Sequence, residues 1–256
     1  MIRFQPTLPQ GYRLVFCESI GSTNDEAKRL ARNGAPEGTL VWALEQTVGR
    51  GRRGRAWASP PGNLYVSLIL RPQCLMNQAA QLGFVAALAV GDTLGSISEQ
   101  RHAALSYKWP NDVLLRGRKL AGILLETELG EGKGEAARFV VVGVGINLVS
   151  SPRDVAFPAT SIAEEDLGTI SPGAALEGFA CHFQAWAERW REGGFAPIRS
   201  AWRAHATALG EPIRVRLERA TLHGRFIDID QHGVLLLESA GELRRITAGE
   251  VFPVIR

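Results

Sequence analysis

The sequence predicts an α+β fold in which a larger part mixing helices and strands, residues 1–209, is followed by a small all-β barrel, residues 210–256. Two observations carry this. Apolar residues at helical spacing, such as Leu82, Val85, Ala86 and Ala89, are followed along the chain by short apolar runs of strand length, such as 139–146. After Gly210 and Pro212 the period changes, and Ile213, Val215 and Leu217 alternate with charged residues. The size allows it: 256 residues at 45% hydrophobic suit one large core plus an appendage, and 21% charged content argues against disorder.

The elements follow in chain order. Thr23 and Glu26 stand at capping-box spacing, Ala27, Leu30 and Ala31 form a helical stripe, and Gly34 suits a C-terminal cap. Residues 39–44 and 64–70 read as strands on either side of a loop from Gly49 to Arg55. Helical spacing over 78–94 predicts a helix covering a sheet face. A strand at 105–109 ends at the turn residues Pro110-Asn111-Asp112, and 113–115 and 120–126 flank Arg116-Gly117-Arg118 as a hairpin. Residues 131–135 read as a surface loop and 139–146 as a buried strand. Residues 150–171 lack periodicity and form a long loop, a feature that in compact domains often carries function. Helices at 172–191 and 195–209 precede the barrel, whose remaining strands fall at 222–229, 234–237 and 243–246.

Several function classes are disfavoured. Cys17, Cys74 and Cys181 are odd in number, widely spaced and without a C-x-x-C pair, so reduced, mostly buried thiols are expected rather than disulfides or zinc. Residues 1–12 lack the apolar core of a secretory signal and no apolar run is long enough to span a bilayer, which predicts a cytoplasmic chain with no membrane partner. G-x-S-x-G, H-E-x-x-H and P-loop motifs are missing, and His102, His182, His205, His223 and His232 show no metal-ligand spacing. A net charge of +3 fits nucleic acid or a phosphate-bearing substrate alike.

The glycine–arginine run Gly49-Arg50-Gly51-Arg52-Arg53-Gly54 matches G-x-G-x-x-G. That dinucleotide fingerprint must open a helix, and Trp57, Pro60, Pro61 and Gly62 forbid one. A solvated arginine patch or nucleic-acid arm is one reading of the loop. The other is an anion cradle, with glycine backbone N–H groups and bidentate arginines as donors. Being short and pinned between strands favours the cradle. Lys108-Trp109-Pro110-Asn111-Asp112 is by default an ordinary turn, but antiparallel pairing brings Lys119 close to it. Two lysines beside an acidic residue suit phosphoryl transfer, with Asp112 a candidate metal ligand. Gly143-Val144-Gly145-Ile146-Asn147 ends a buried strand whose glycines permit close packing, and Asn147 is placed to meet a ligand. Ser22-Thr23-Asn24 is a helix cap that also offers hydroxyl and amide groups.

Taken together these segments resemble the biotin protein ligases. The resemblance rests on Ser22-Thr23-Asn24, on Glu45-Gln46-Thr47 leading into the glycine–arginine loop and Trp57, and on Asn63-Leu64-Tyr65. Lys108-Trp109-Pro110-Asn111-Asp112, Arg118-Lys119-Leu120-Ala121-Gly122-Ile123 and Gly143-Val144-Gly145-Ile146-Asn147-Leu148 complete it, over about residues 20–165. It implies a mixed β-sheet catalytic domain with flanking helices, similar to class II aminoacyl-tRNA synthetases, and an SH3-like β-barrel as the tail. Ser22 comes too early for the N-terminal helix-turn-helix of repressor relatives, so a ligase-only type without DNA binding is expected.

The implied reaction joins biotin and ATP, with Mg²⁺, into biotinyl-5′-AMP and passes biotin to a lysine of a biotin carboxyl carrier domain. A sheet-edge homodimer is also implied. Carried over by position, Ser22, Thr23, Asn24, Gln46 and Gly122 meet biotin, and Arg50, Gly51 and Arg52 wrap its carboxylate and the α-phosphate. Lys119 binds oxygens at the reacting centre, while Arg52, Arg53, Trp57, Lys108, Asn111 and Asn147 serve the nucleotide. Lys119, Arg50 and Asp112 form the catalytic set, Asp112 either holding Mg²⁺ or accepting a proton from the incoming lysine. Residues 149–161 are expected to close over the adenylate. The rival readings are a lipoate or octanoate ligase of related fold and a nucleic-acid-binding regulator.

Overall fold

A computed structural model of the chain describes residues 6–96, 104–129, 136–153 and 155–253. Seven strands form a mixed sheet: β1 (Arg13–Ile20), β2 (Thr39–Gln46), β3 (Leu64–Leu70), β4 (Leu105–Lys108), β5 (Asp112–Leu115), β6 (Arg118–Leu129) and β7 (Ala137–Ile146). Their spatial order is β1-β2-β3-β7-β6-β5-β4. β1 and β2 run parallel, connected through α1 (Thr23–Arg32), and every other neighbouring pair is antiparallel. The sequence reading missed β1, whose edge position leaves it only half-buried and without clean alternation.

Strand alternation divides the two faces. On β7, Val140, Val142, Val144 and Ile146 enter the main core, whereas Phe139 and Val141 join Ala27, Ala31, Val41 and Ile69 beneath α1. Two residues further along that second face come Gly143 and Gly145, where side chains stop and a cleft begins beside the first turn of α1.

The cap of α1 is Ser22, one residue earlier than expected. Ser22 is extended, and its hydroxyl accepts from the Asp25 N–H at 3.5 Å. Thr23 lies inside the helix, its hydroxyl engaged by Gln46 and Ser67 instead. On the opposite face of the sheet, the helix expected over 78–94 is broken into α2 (Met76–Ala79) and α3 (Leu82–Gly95). α3 is buried almost all round, packed between the sheet and α4 (Pro172–Gly193), which Ser171 caps. α5 (Phe195–Ala204) stops short of the expected residue 209. The chain there turns to cover the edge of β4: Tyr107 N–H donates to His205 O, and Thr207 N–H to Tyr107 O, both at 2.8 Å. The β5–β6 hairpin turns at Arg116 and Gly117, both at positive φ, as a type I′ turn requires.

The C-terminal sheet holds β8 (Pro212–Arg216), β9 (Thr221–Ile229), β10 (Leu235–Ser239), β11 (Glu242–Ile246) and β12 (Glu250–Pro253), in the order β11-β10-β9-β8-β12. β12 was not foreseen. Ile213, Val215, Phe226, Leu235 and Leu237 are fully buried and continuous with the main core. The expected burial of the thiols is corrected: Cys17 and Cys74 are half-buried and Cys181 is exposed, all three free. The expected loop at 131–135 lies outside the described residues. No described helix is long and apolar enough to cross a membrane.

Candidate active site

The cleft encloses about 800 Å³. Gly122, Gly143 and Gly145 form its floor, and each excludes a larger residue. A Cβ on Gly143 would stand 2.2 Å from Asn24 Oδ1, one on Gly145 2.6 Å from the Trp57 ring, and one on Gly122 2.9 Å from it. Trp57 therefore lies directly against the glycines, with its Nε1 buried and unpartnered.

One wall is a preset polar network. Thr23 N–H donates to Gln46 Oε1 at 2.8 Å, and Gln46 Nε2 to Ser59 Oγ at 2.9 Å. Ser67 Oγ lies 2.8 Å from Thr23 Oγ1 and 2.6 Å from Asn24 Oδ1. Asn24 Nδ2 donates to Glu126 Oε2 at 2.8 Å. Side chains locked in this way offer a ligand fixed donors and acceptors without reorganisation.

The cleft also carries cationic side chains. The glycine–arginine loop closes on itself, with Gly51 N–H donating to Arg55 O at 2.7 Å and Trp57 N–H to Gly49 O at 2.9 Å. Arg53 takes a positive φ of 57° at its tip. Arg50 meets Asp25 through two bonds of 2.7 Å. Arg52 donates to Asn111 Oδ1 at 3.2 Å and to Gly249 O at 3.3 Å, and its burial pushes the guanidinium pKa down. A cation so desolvated has more to gain from an anion.

Beyond it Asp112 faces Lys108 at 2.8 Å and Lys119 at 2.7 Å. Lys119 meets Oδ1 and Lys108 meets Oδ2, so each carboxylate oxygen faces its own ammonium. Burial alone would raise the Asp112 carboxyl, but the charges of Lys119 and Lys108 prevail and hold it at about 2. Lys119 is also bracketed by the long loop, its N–H donating to Pro158 O and its carbonyl accepting from Thr160 N–H. Asn147 Nδ2 donates to Thr160 O at 3.0 Å, tying that loop to the end of β7.

Of the residues singled out in the sequence, Ser22, Thr23, Asn24, Gln46, Arg50, Gly51, Arg52, Trp57, Asn111, Asp112, Lys119, Gly122 and Asn147 line this cleft. Arg53 and Lys108 do not. Arg53 is exposed because it forms the tip of the turn. Lys108 is only 2% exposed, held behind Asp112 with its ammonium 4.2 Å from the Phe157 ring. Sequence reasoning missed Asp25, Ser59, Ser67, Glu126 and Glu250. For Glu126 a signal existed: Lys28 and Arg32, one turn apart on α1, pair with Glu126 and Glu128, which share one face of β6.

Residues 16–147 match the biotin/lipoate A/B protein ligase family, and residues 208–252 match the biotin protein ligase C-terminal domain. The chain belongs to the biotin protein ligase family. It is 45% identical over 236 residues to the biotin–[acetyl-CoA-carboxylase] ligase of Paracoccus denitrificans, covering 90% of this chain and 96% of that one. It is 36% identical to the bifunctional ligase/repressor BirA of Bacillus subtilis, over 94% of this chain and 74% of that one. The biotin protein ligase of Aquifex aeolicus, solved in complex with biotin and ATP, superposes with a TM-score of 0.78 at 27% identity, over 94% and 97% of the two chains.

The residues do not fit a magnesium ion held by Asp112. Both of its oxygens face ammonium groups.

Proposed function

We propose that the chain is an ATP-dependent biotin protein ligase that activates biotin as biotinyl-5′-AMP and transfers biotin to a lysine of a biotin carboxyl carrier domain. The carrying observation is a single cleft that brings a neutral, prearranged polar network together with Arg50, Arg52 and Lys119 beside three glycines. Biotin has the same polarity: an uncharged ureido head, an apolar chain and a carboxylate. The head meets Ser22, Thr23, Asn24 and Gln46, and the carboxylate arrives among the cations.

Two anions must meet for the first step, and fixed cations offset their repulsion. A biotin carboxylate oxygen attacks the α-phosphorus of ATP, the bond to the β-phosphate oxygen breaks, and pyrophosphate leaves. Arg52 and Lys119 stabilise the charge that develops on the α-phosphate. Trp57, Asn111 and Asn147 serve the nucleotide, and residues 149–161 cover it. In the second step the neutral ε-amine of the acceptor attacks the acyl carbonyl, AMP leaves, and the surplus proton passes to water. Asp112, held at about 2 between two lysines, is too weak a proton acceptor for this step. We assign it to holding Lys119 in place. Magnesium enters as the counter-ion of the triphosphate rather than as a resident of the protein.

The same reading puts the enzyme in the cytoplasm, divides it at about residue 210 into catalytic and C-terminal domains, and allows a homodimer through the edge of the large sheet. It is tested by mass spectrometry of a reaction with ATP and biotin. Biotinyl-5′-AMP should accumulate, then disappear when a biotin carboxyl carrier domain is added, leaving one biotinyl group on one lysine. An adenylate that forms but never transfers would overturn the acceptor assignment.

A further inference from the structure

We propose that Glu126 is a positioning residue for the biotin end of the cleft, acting through Asn24 and Arg50. The inference rests on the ligase reading and adds to it a residue that does not itself line the cavity. Glu126 lies on β6, Asn24 in the first turn of α1 and Arg50 in the glycine–arginine loop, so one carboxylate joins three separate segments.

Its contacts are specific. Oε2 accepts from Asn24 Nδ2 at 2.8 Å, Oε1 accepts from Lys28 Nζ at 2.7 Å, and Arg50 Nη2 stands 3.4 Å away. Asp25 completes the circuit, gripping Arg50 at 2.7 Å and Lys28 at 3.1 Å. Two carboxylates and two cations thus alternate in a closed ring. Burial raises the Glu126 carboxyl, but the bonds from Lys28 and Asn24 and the charges of Lys28 and Arg50 outweigh it, so it stays ionised.

Two consequences follow. A carboxylate only accepts, so with the Leu124 carbonyl, 3.4 Å from Nδ2, it selects one of the two orientations of the Asn24 amide, which have the same shape. Nδ2 turns to Glu126, leaving Oδ1 toward the Ser67 hydroxyl and Gly143. Glu126 thereby sets which hydrogen-bonding groups Asn24 has left for a ligand. The ring also lets Arg50 leave Asp25 for an incoming carboxylate at low cost. Asp25 keeps Lys28, and Arg50 keeps Glu126, so neither charge is stranded.

The test is steady-state pyrophosphate release by the full chain with biotin and ATP varied in turn. Glu126→Gln keeps the shape but loses the charge that strengthens the bond to Asn24 and holds the cations. Its biotin KM should rise roughly tenfold or more, as for loss of a hydrogen bond to a charged group, with the ATP KM within about twofold. Combining it with Asn24→Ala should give less than the product of the two single effects on biotin KM, because both act on one group. An unchanged biotin KM, a parallel rise in both KM values, or a full product would overturn the proposal. Should Glu126→Gln not fold, Glu126→Asp, which keeps the charge but shortens its reach, must show the same biotin-only rise to a smaller extent, and its absence overturns the proposal as well. A wild type without biotin-triggered release removes the ligase reading and this inference together; a normal wild type beside a variant with unsplit KM values removes this inference alone.

Discussion

Asp112 and its two lysines stand at the proposed reacting centre. Lys119 reaches the cleft while Lys108 stays behind, and the carboxylate fixes both. Lys119→Ala should slow biotinyl-5′-AMP formation by about 10²- to 10³-fold, the scale for a preorganised charge stabiliser, and a normal single-turnover rate would refute its role. Asp112→Asn leaves two cations without their counter-ion, one of them 2% exposed, and should cost roughly 3–5 kcal/mol in urea unfolding. The sign with pH is fixed by the depressed carboxyl. The Asp112 contribution is complete above its ordinary value of 3.8 and is lost as pH falls toward about 2. Wild type should therefore lose more stability than Asp112→Asn over that window, and parallel acid titrations would contradict this. This trio was legible in the sequence because a turn motif and hairpin arithmetic place the three residues together. Glu126 was harder to see, because in Glu126-Thr127-Glu128 the polar end of a strand reads as a solvated face. Only α1 lying across it makes it part of the site.

At the scale of elements, β7 shows how a single strand serves core and cleft. Phe139 and Val141 pack beneath α1, and the next two residues on that face are glycines because Asn24 and Trp57 occupy the space. Gly143→Ala would press a methyl group against Asn24. Overpacking of this kind costs about 1–3 kcal/mol, so biotin KM should rise by roughly 5- to 150-fold, and an unchanged value would refute the floor. The glycines were visible in the sequence, but their reason was not. In a buried strand they equally suit close strand packing, and the side chains that fill their space come from residues 24 and 57. The end of α5 was misplaced for a related cause: pairing with the edge of β4 overrides helical spacing after Ala204. β1 escaped notice because an edge strand buries only part of each residue.

Across the whole molecule the C-terminal sheet reaches back to the cleft. Gly249 and Val251 accept through their carbonyls from Arg52 and Lys108, and Glu250 grips Arg55 and Arg216. Its alternating apolar residues announced the sheet, but nothing in them pointed to these contacts, which depend on β12. Arg55 is half exposed, so its pair with Glu250 is worth no more than about 1 kcal/mol. Glu250→Ala should then raise the ATP KM by up to about fivefold and leave the biotin KM alone; equal changes in both would contradict a role confined to the nucleotide side. The central claim is that the neutral wall selects biotin while the cationic wall activates its carboxylate. The most direct test is pyrophosphate release from ATP with biotin and lipoate compared as triggers. Biotin should trigger release and lipoate should leave it near background; equal release with lipoate, or none with biotin, would contradict the claim.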